Sequence, residues 1–218
     1  NRTHIKICGI TNLPDARFVA GALADYIGFI FYKKSPRYIT PSKAGAIINW
    51  LEGPQPVGVF VNESADIIND VITQTGIEYV QLHGNETPEF CSLVDKPVIK
   101  ALHISENTRE ADLREKAKKY MPYCEFLLFD TKIDNLWGGT GTPFDWDKLN
   151  TLTDQFPFFL SGGLNPDNVK QACQKVRPYA VDLSSGVEAE PGKKDFNKLH
   201  DFFETMRKVH ELQEMGNL

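Results

Sequence analysis

The chain has 218 residues, of which 41% are hydrophobic and 24% charged, and its formal net charge is -5. This composition is typical of a globular protein, and the length allows one large domain or two small ones. The acidic balance argues against a general binder of nucleic acid or of anionic membranes. Local backbone amides and a few basic side chains would have to hold any anionic ligand.

The cysteines do not indicate a zinc site or a disulfide. They are far apart in the sequence, with no C-x-x-C pair and no histidine at ligand spacing. No apolar run has the length of a signal peptide or of a membrane span. We therefore expect a cytoplasmic protein with reduced thiols that binds neither a metal ion nor a membrane. The four cysteines are Cys8, Cys91, Cys124 and Cys173.

Short apolar segments alternate with amphipathic segments from one end of the chain to the other, and the apolar segments predict strands. Ser64 and Gly76 are suited to begin and end one of the helices between them. Asn165 and Pro166 are suited to begin another. Strands are predicted over 5–10, 26–32, 56–61, 79–84, 98–104, 125–131, 158–163 and 179–186, and helices over 41–52, 64–76, 165–176 and 193–212.

This alternation predicts an α/β fold. Strands that are each followed by a helix run parallel, because the crossover returns the chain to the same edge. Eight such units in this length favour a (β/α)8 barrel over an open doubly wound sheet. The chain has no low-complexity linker, so we expect a single-domain barrel over residues 1–218.

The first predicted strand places a lysine and a thiol on one face. Lys6 and Cys8 are two residues apart and so point to the same side of an extended chain. Both faces of a barrel strand are covered, so neither face is solvated. We expect Ile5 and Ile7 to contact the helices and the other pair to face the barrel axis. Cys8 would lie at the C-terminal mouth, where the catalytic residues of such barrels are found.

Glycine-rich segments near the last strands predict a phosphate site. Loops after strands seven and eight commonly bind phosphate in this fold, although tight turns would explain the same glycines. Neither residues 138–144 nor residues 186–194 have the spacing of a nucleotide-binding motif. The residues predicted to surround the phosphate are Gly162, Gly163, Ser184, Ser185 and Gly186, with Gly139 and Gly141 completing the set.

Other polar side chains lie where predicted strands end. Asp130 follows four apolar residues, which favours a catalytic role over that of a helix cap. Arg37 follows the second strand and could bind a carboxylate with two hydrogen bonds, or could be an ordinary surface arginine. His83 and Asp182 share the location at a strand end, and His83 could equally be a buried structural histidine.

Taken in order, several motifs resemble those of the phosphoribosylanthranilate isomerase family. The resemblance spans nearly the whole chain, and the ordered set is far more specific than any one member. The motifs are "KICGIT" at 6–11, "FIFYKKSPRYITP" at 29–41, "VQLHGNE" at 80–86, "LLFDT" at 127–131, "GGTGTPFDW" at 138–146, "LSGGLNPDNV" at 160–169 and "VDLSSGVEAEPGKKD" at 181–195.

The resemblance implies an Amadori rearrangement of a phosphorylated small molecule, without a metal or other cofactor. It assigns Cys8 as general base, Asp130 as general acid and Arg37 as the group that binds the substrate carboxylate. An acid at neutral pH needs a raised pKa, which we expect the apolar end of strand six to provide for Asp130. We also hypothesise that Lys6 favours the Cys8 thiolate and is itself paired with Asp182.

Two other functions remain open from the sequence. An aminoaldose isomerase of histidine synthesis resembles this family in fold and reaction, but has an aspartate where Cys8 stands. A non-catalytic barrel that binds phosphate ligands would have no use for both Cys8 and Asp130. A homodimer and a fused pathway partner are both compatible with the sequence.

Overall fold

The computed structural model describes residues 2–105, 107–130, 146–149, 152 and 155–216. Its centre is a closed barrel of eight parallel strands in sequential order, as the alternation predicts. The strands are β1 His4–Ile7, β2 Tyr26–Ile30, β3 Gln55–Phe60, β4 Tyr79–Leu82, β5 Val98–His103, β6 Phe126–Asp130, β7 Phe158–Ser161 and β8 Ala180–Leu183.

Helices pack around this ring. Ser64 caps α3 and Gly76 ends it in a left-handed conformation, with φ of 75°, as predicted. No helix among the described residues is long and apolar enough to cross a membrane. The helices are α1 Leu13–Gly21, α2 Pro41–Ile48, α3 Ala65–Thr75, α4 Pro88–Cys91, α5 Glu110–Tyr120, α6 Val169–Val176 and α7 Phe196–Glu214. Short 3-10 helices cover Met121–Tyr123, Trp146–Leu149 and Ser185–Val187.

Two predicted helix starts are wrong. Asn165 begins a turn, because its side chain accepts hydrogen bonds from the next residues, and α6 starts only after Asn168. The last helix begins after the capping residue Asp195, not at residue 193. Lys193–Lys194 instead form a strand, β10, which pairs antiparallel with β9, Glu188–Glu190. This small hairpin lies between β8 and α7 in the chain.

The barrel strands have two distinct faces. Ile5 and Ile7 lie in the large apolar core that also contains the buried helix residues, which confirms their predicted orientation. A second, smaller core contains Tyr26, Phe126 and Phe159, which pack edge to face in the barrel interior. Residues of this inner parity form layers along the axis, and the uppermost layer forms the mouth.

Candidate active site

Cys8 lies directly after β1, at the C-terminal mouth of the barrel. Its amide donates to the carbonyl of Leu183 on β8, which continues the strand pairing by one residue. The side chain is 6% exposed. A Cβ atom on Gly28 of β2 would come within 2.6 Å of the Cys8 Sγ, so glycine is needed there to leave room for the thiol.

Two buried lysines influence this thiol. Burial raises the pKa of Cys8 above its ordinary value, and the negative charge of Asp182 adds to that effect. The positive charges of Lys6 and Lys194 act in the opposite direction. Burial outweighs the effect of the two lysines, and the hypothesis that Lys6 tunes the thiol stays a prediction.

Lys6 is paired as predicted. Its Nζ lies 2.9 Å from Oδ1 of Asp182, and the side chains are 0% and 5% exposed. The contact is a charge pair, not an aligned hydrogen bond. Burial opposes the charged form of Lys6, but the carboxylate of Asp182 and the interaction with Cys8 outweigh burial and keep the pKa of Lys6 above its ordinary value. Both groups lie one layer below the mouth.

Asp130 ends β6 between two histidines. Its Oδ2 lies 3.2 Å from Nε2 of His83 and 3.5 Å from Nδ1 of His103. Burial alone would raise the pKa of Asp130, but the hydrogen bonds and positive charge of the histidines outweigh it and hold the pKa well below its ordinary value. The expectation of a raised pKa is therefore wrong for the free protein. The apolar strand end has less influence than the two imidazoles.

Arg37 is held by an internal carboxylate. Its Nε and Nη2 donate to both carboxylate oxygens of Glu188 at 2.6 to 3.1 Å, and Glu188 is 4% exposed. Lys194 donates to the same carboxylate at 3.0 Å and to the carbonyl of Cys8 at 2.7 Å. Among the described residues Nη1 of Arg37 makes no hydrogen bond, so this edge of the guanidinium is available to a ligand. The arginine is oriented over the mouth rather than free on the surface.

The loops after β7 and β8 lie close together. Gly162 and Gly163 have φ of 95° and 68°, a conformation that glycine adopts most easily. A Cβ atom on Gly186 would overlap the carbonyl oxygen of Leu164, so these two loops touch at a glycine. Ser184 Oγ is buried and has no hydrogen-bond partner among the described residues. Ser185 is exposed, whereas Gly139 and Gly141 lie outside the described residues.

Sequence reasoning missed three residues of this region. His103 ends β5 and pairs in register with Asp130, so the argument applied to His83 would have found it. Glu188 and Lys194 lie in the hairpin after β8, where no strand or helix periodicity indicates burial. All four cysteines are free thiols, as expected. The only group of at least three metal-ligating side chains found among the described residues is His83, His103 and Asp130.

A model of the N-(5'-phosphoribosyl)anthranilate (PRA) isomerase family matches residues 5–205. The chain belongs to this family. It is therefore an enzyme, an isomerase of tryptophan biosynthesis. This match confirms the resemblance to the family that the ordered motifs indicate.

Relatives match over nearly their full length. The N-(5'-phosphoribosyl)anthranilate isomerase of Thermotoga neapolitana is 48% identical over 202 residues, 91% of this chain and 95% of the relative. Crystallised monomers of the dimeric phosphoribosylanthranilate isomerase from Thermotoga maritima have 44% identity and a TM-score of 0.83, covering 94% and 99% of the two chains. A phosphoribosyl anthranilate isomerase in complex with reduced 1-(o-carboxyphenylamino)-1-deoxyribulose 5-phosphate has 42% identity and a TM-score of 0.83, covering 94% of this chain and 99% of that one.

Proposed function

We propose that the chain converts N-(5-phosphoribosyl)anthranilate to 1-(2-carboxyphenylamino)-1-deoxyribulose 5-phosphate, with Cys8 as general base and Asp130 as general acid. The observation that carries the proposal is the position of these two groups at the same mouth, at the ends of strands three apart in the ring. Membership of the family over residues 5–205 supports it.

The rearrangement needs an acid and then a base. Asp130, once protonated, gives its proton to the ribose ring oxygen as the bond from C1′ to that oxygen breaks, and a protonated Schiff base forms. The Cys8 thiolate then removes the proton on C2′, and the bonding electrons neutralise the imine to give an enolamine. The enolamine tautomerises to the ketone: its hydroxyl loses a proton and C1′ gains one.

The surrounding charges prepare both groups. Lys6 and Lys194 favour the thiolate form of Cys8. The contact with Asp130 raises the pKa of His103, although burial opposes it, so this imidazole is the neighbouring source of a proton for the carboxylate. The anionic substrate favours protonation of Asp130, because added negative charge raises the pKa of a nearby carboxyl group.

The substrate's two anionic ends have separate partners in this proposal. Arg37, oriented by Glu188, binds the anthranilate carboxylate through Nη1. Backbone amides at Gly162, Gly163 and Gly186, with the hydroxyls of Ser184 and Ser185, bind the phosphate. The complex of the related isomerase with a reduced phosphorylated product supports this ligand class.

We propose that the chain is a single barrel domain that acts in the cytoplasm. The name of the dimeric relative from Thermotoga maritima supports a homodimer. Light scattering coupled to gel filtration distinguishes a dimer of this 24.6 kDa chain from a monomer.

The decisive experiment follows the loss of substrate fluorescence. Wild type, Cys8→Ala and Asp130→Ala are compared side by side, with Cys124→Ala as a cysteine control outside the mouth. Removing either the acid or the base is expected to lower kcat at least ~10²-fold. Near-normal turnover by Cys8→Ala would show that another group is the base. No turnover by the wild type would favour a barrel that only binds phosphate ligands.

A further inference from the structure

Three ligand atoms converge at the ends of neighbouring strands β4, β5 and β6. His83, His103 and Asp130 each offer one ligand atom, and these three atoms lie within 4.8 Å of one another. The closest contacts join Oδ2 of Asp130 to Nε2 of His83 and to Nδ1 of His103. The carboxylate oxygen lies 3.2 Å from one imidazole nitrogen and 3.5 Å from the other. Ligands bound to zinc at its usual bond lengths in tetrahedral geometry are about 3.4 Å apart. These two separations therefore suit a single transition metal ion.

The sheet and a backbone carbonyl orient His103 as a ligand. The β5–β6 register places it directly beside Asp130. Its Nε2 lies 3.1 Å from the carbonyl oxygen of His83 and donates to it. In the neutral imidazole the lone pair is then on Nδ1, the atom that faces the carboxylate. A hydrogen bond of this kind fixes the tautomer of many metal-binding histidines.

His83 has a side chain below it that can select its tautomer. Its Nδ1 lies 2.9 Å from Nε2 of Gln81, whose Oε1 is buried and has no partner among the described residues. A half-turn of this amide would bring Oε1 to the same position, where it accepts a hydrogen bond from the N–H at Nδ1 of His83. The exchange keeps one hydrogen bond and leaves the lone pair on Nε2 of His83. The site can thus receive a metal ion without moving the backbone.

The cluster is open towards solvent. The side chains of His83, Asp130 and His103 are 25%, 11% and 54% exposed. Water can therefore reach the metal and fill its remaining coordination positions. Two imidazoles and one carboxylate suit first-row ions such as Zn²⁺, Co²⁺ and Ni²⁺, whereas Mg²⁺ and Ca²⁺ prefer oxygen ligands.

We propose that His83, His103 and Asp130 form a binding site for a divalent first-row transition metal ion, and that the bound ion inhibits the enzyme. Binding itself depends only on these three side chains. Inhibition rests on the proposed function, because the ion would occupy Asp130, the proposed general acid. It would also stand where the ribose ring must enter, so the ion and the substrate exclude one another.

Titration of the chelator-treated protein with Co²⁺ tests the site. Wild type is expected to bind one ion per chain with visible d–d absorption and no thiolate charge-transfer band, since the ligands are nitrogen and oxygen. His103→Ala and Asp130→Asn should each weaken Co²⁺ binding at least about tenfold, because each removes one of three protein ligands. His200→Ala, which removes an exposed histidine on α7, should bind Co²⁺ as wild type does.

The result that overturns the proposal is Co²⁺ binding that the His103 and Asp130 variants leave unchanged, or no saturable binding. A thiolate charge-transfer band that disappears in Cys8→Ser would also overturn it, because the ion would then be bound by the cysteine. His103 is half exposed, so His103→Ala should fold and can test the site even if Asp130→Asn folds poorly. Thermal melting checks that both variants are folded.

A turnover assay separates this proposal from the proposed function. If both hold, Co²⁺ abolishes isomerase activity, EDTA restores it, and substrate raises the Co²⁺ concentration required. Saturable Co²⁺ binding by an otherwise inactive wild type would leave the metal site standing and remove the proposed function. Full activity with the site occupied would overturn the inhibition.

Discussion

Lys6 Nζ lies 2.9 Å from Asp182 Oδ1 in the interior of the barrel, with both side chains almost fully buried. The two residues are directly paired in the register of β1 and β8, so the sheet itself holds the charges together. Cys8 lies two residues beyond Lys6 on the same face. A buried charge pair therefore lies one layer beneath the proposed base. Each member of the pair compensates the buried charge of the other.

Removing the lysine alone should strongly destabilise the fold. Lys6→Met leaves Asp182 as an uncompensated buried charge, which lowers the free energy of unfolding by ~3–5 kcal/mol. Urea denaturation at neutral pH measures the loss. The double variant Lys6→Met/Asp182→Leu should recover most of it, because no charge is left in the interior. A single variant as stable as the double would contradict this account.

The same lysine should affect the titration of the thiol. In a background with the other three cysteines replaced by serine, ultraviolet thiolate absorbance follows Cys8 alone. Its pKa is already raised by burial, and replacing Lys6 by methionine should raise it further because a favourable positive charge is lost. An identical titration curve in the two proteins would show that Lys6 has no role in tuning the thiol.

The pair of His103 and Asp130 should stabilise the fold in a limited pH range. The pKa of Asp130 is lowered, so its contribution is full above about pH 3.9 and is lost as the pH falls through the folded value. The pKa of His103 is raised, so its contribution is full below about pH 6.5 and is lost as the pH rises through the folded value. Both contributions are present between these limits.

His103→Ala should therefore destabilise the protein more at about pH 5.5 than at about pH 9. The difference should not exceed ~1 kcal/mol, because His103 is half exposed and solvent screens the pair. Urea denaturation at the two pH values measures it. In an Asp130→Asn background, the loss of stability caused by His103→Ala should depend much less on pH. An equal pH dependence in both backgrounds would assign it to another group.

Glu188 should control substrate affinity through Arg37. Glu188→Gln removes the charged partner of two donors of the guanidinium, so the arginine is less well oriented for the substrate carboxylate. We expect KM to rise about tenfold with a smaller change in kcat, which corresponds to ~1.4 kcal/mol for a charge-assisted hydrogen bond. Steady-state kinetics separate the two constants.

The matched control for this prediction is Glu190→Gln, in the same short hairpin but with a 69% exposed side chain. It removes one negative charge close in sequence to Glu188 without touching Arg37 and should leave KM unchanged. Equal increases in KM in both variants would indicate a general charge effect rather than orientation of the arginine.

Strand-end residues were predictable from the chain because the periodicity of a barrel strand is strict. Alternation of Ile5 and Ile7 with Lys6 and Cys8 decides which side chains face the axis, once both faces of the strand are known to be covered. The same parity places Asp130 at the mouth. The partner of Lys6 was also predictable, since β1 and β8 are neighbours in a closed ring.

Contacts made by the segments between elements could not be read in this way. The hairpin of β9 and β10 brings Glu188 and Lys194 against Arg37 and Cys8, although no pattern within those short strands requires it. The pKa of Asp130 was predicted in the wrong direction for a similar reason. The apolar residues before it are visible in the sequence, whereas its two imidazole neighbours come from other strands.

The sequence by itself determined the barrel, the face of each strand that carries the polar groups, and the end of the barrel where they gather. These follow from local periodicity and from the need to bury both faces of a parallel sheet. Only the tertiary structure decided the charge states at the mouth. Those depend on burial and on Coulomb interactions over a few ångströms, between residues such as Asp130, His83 and His103 that the chain brings together from distant positions.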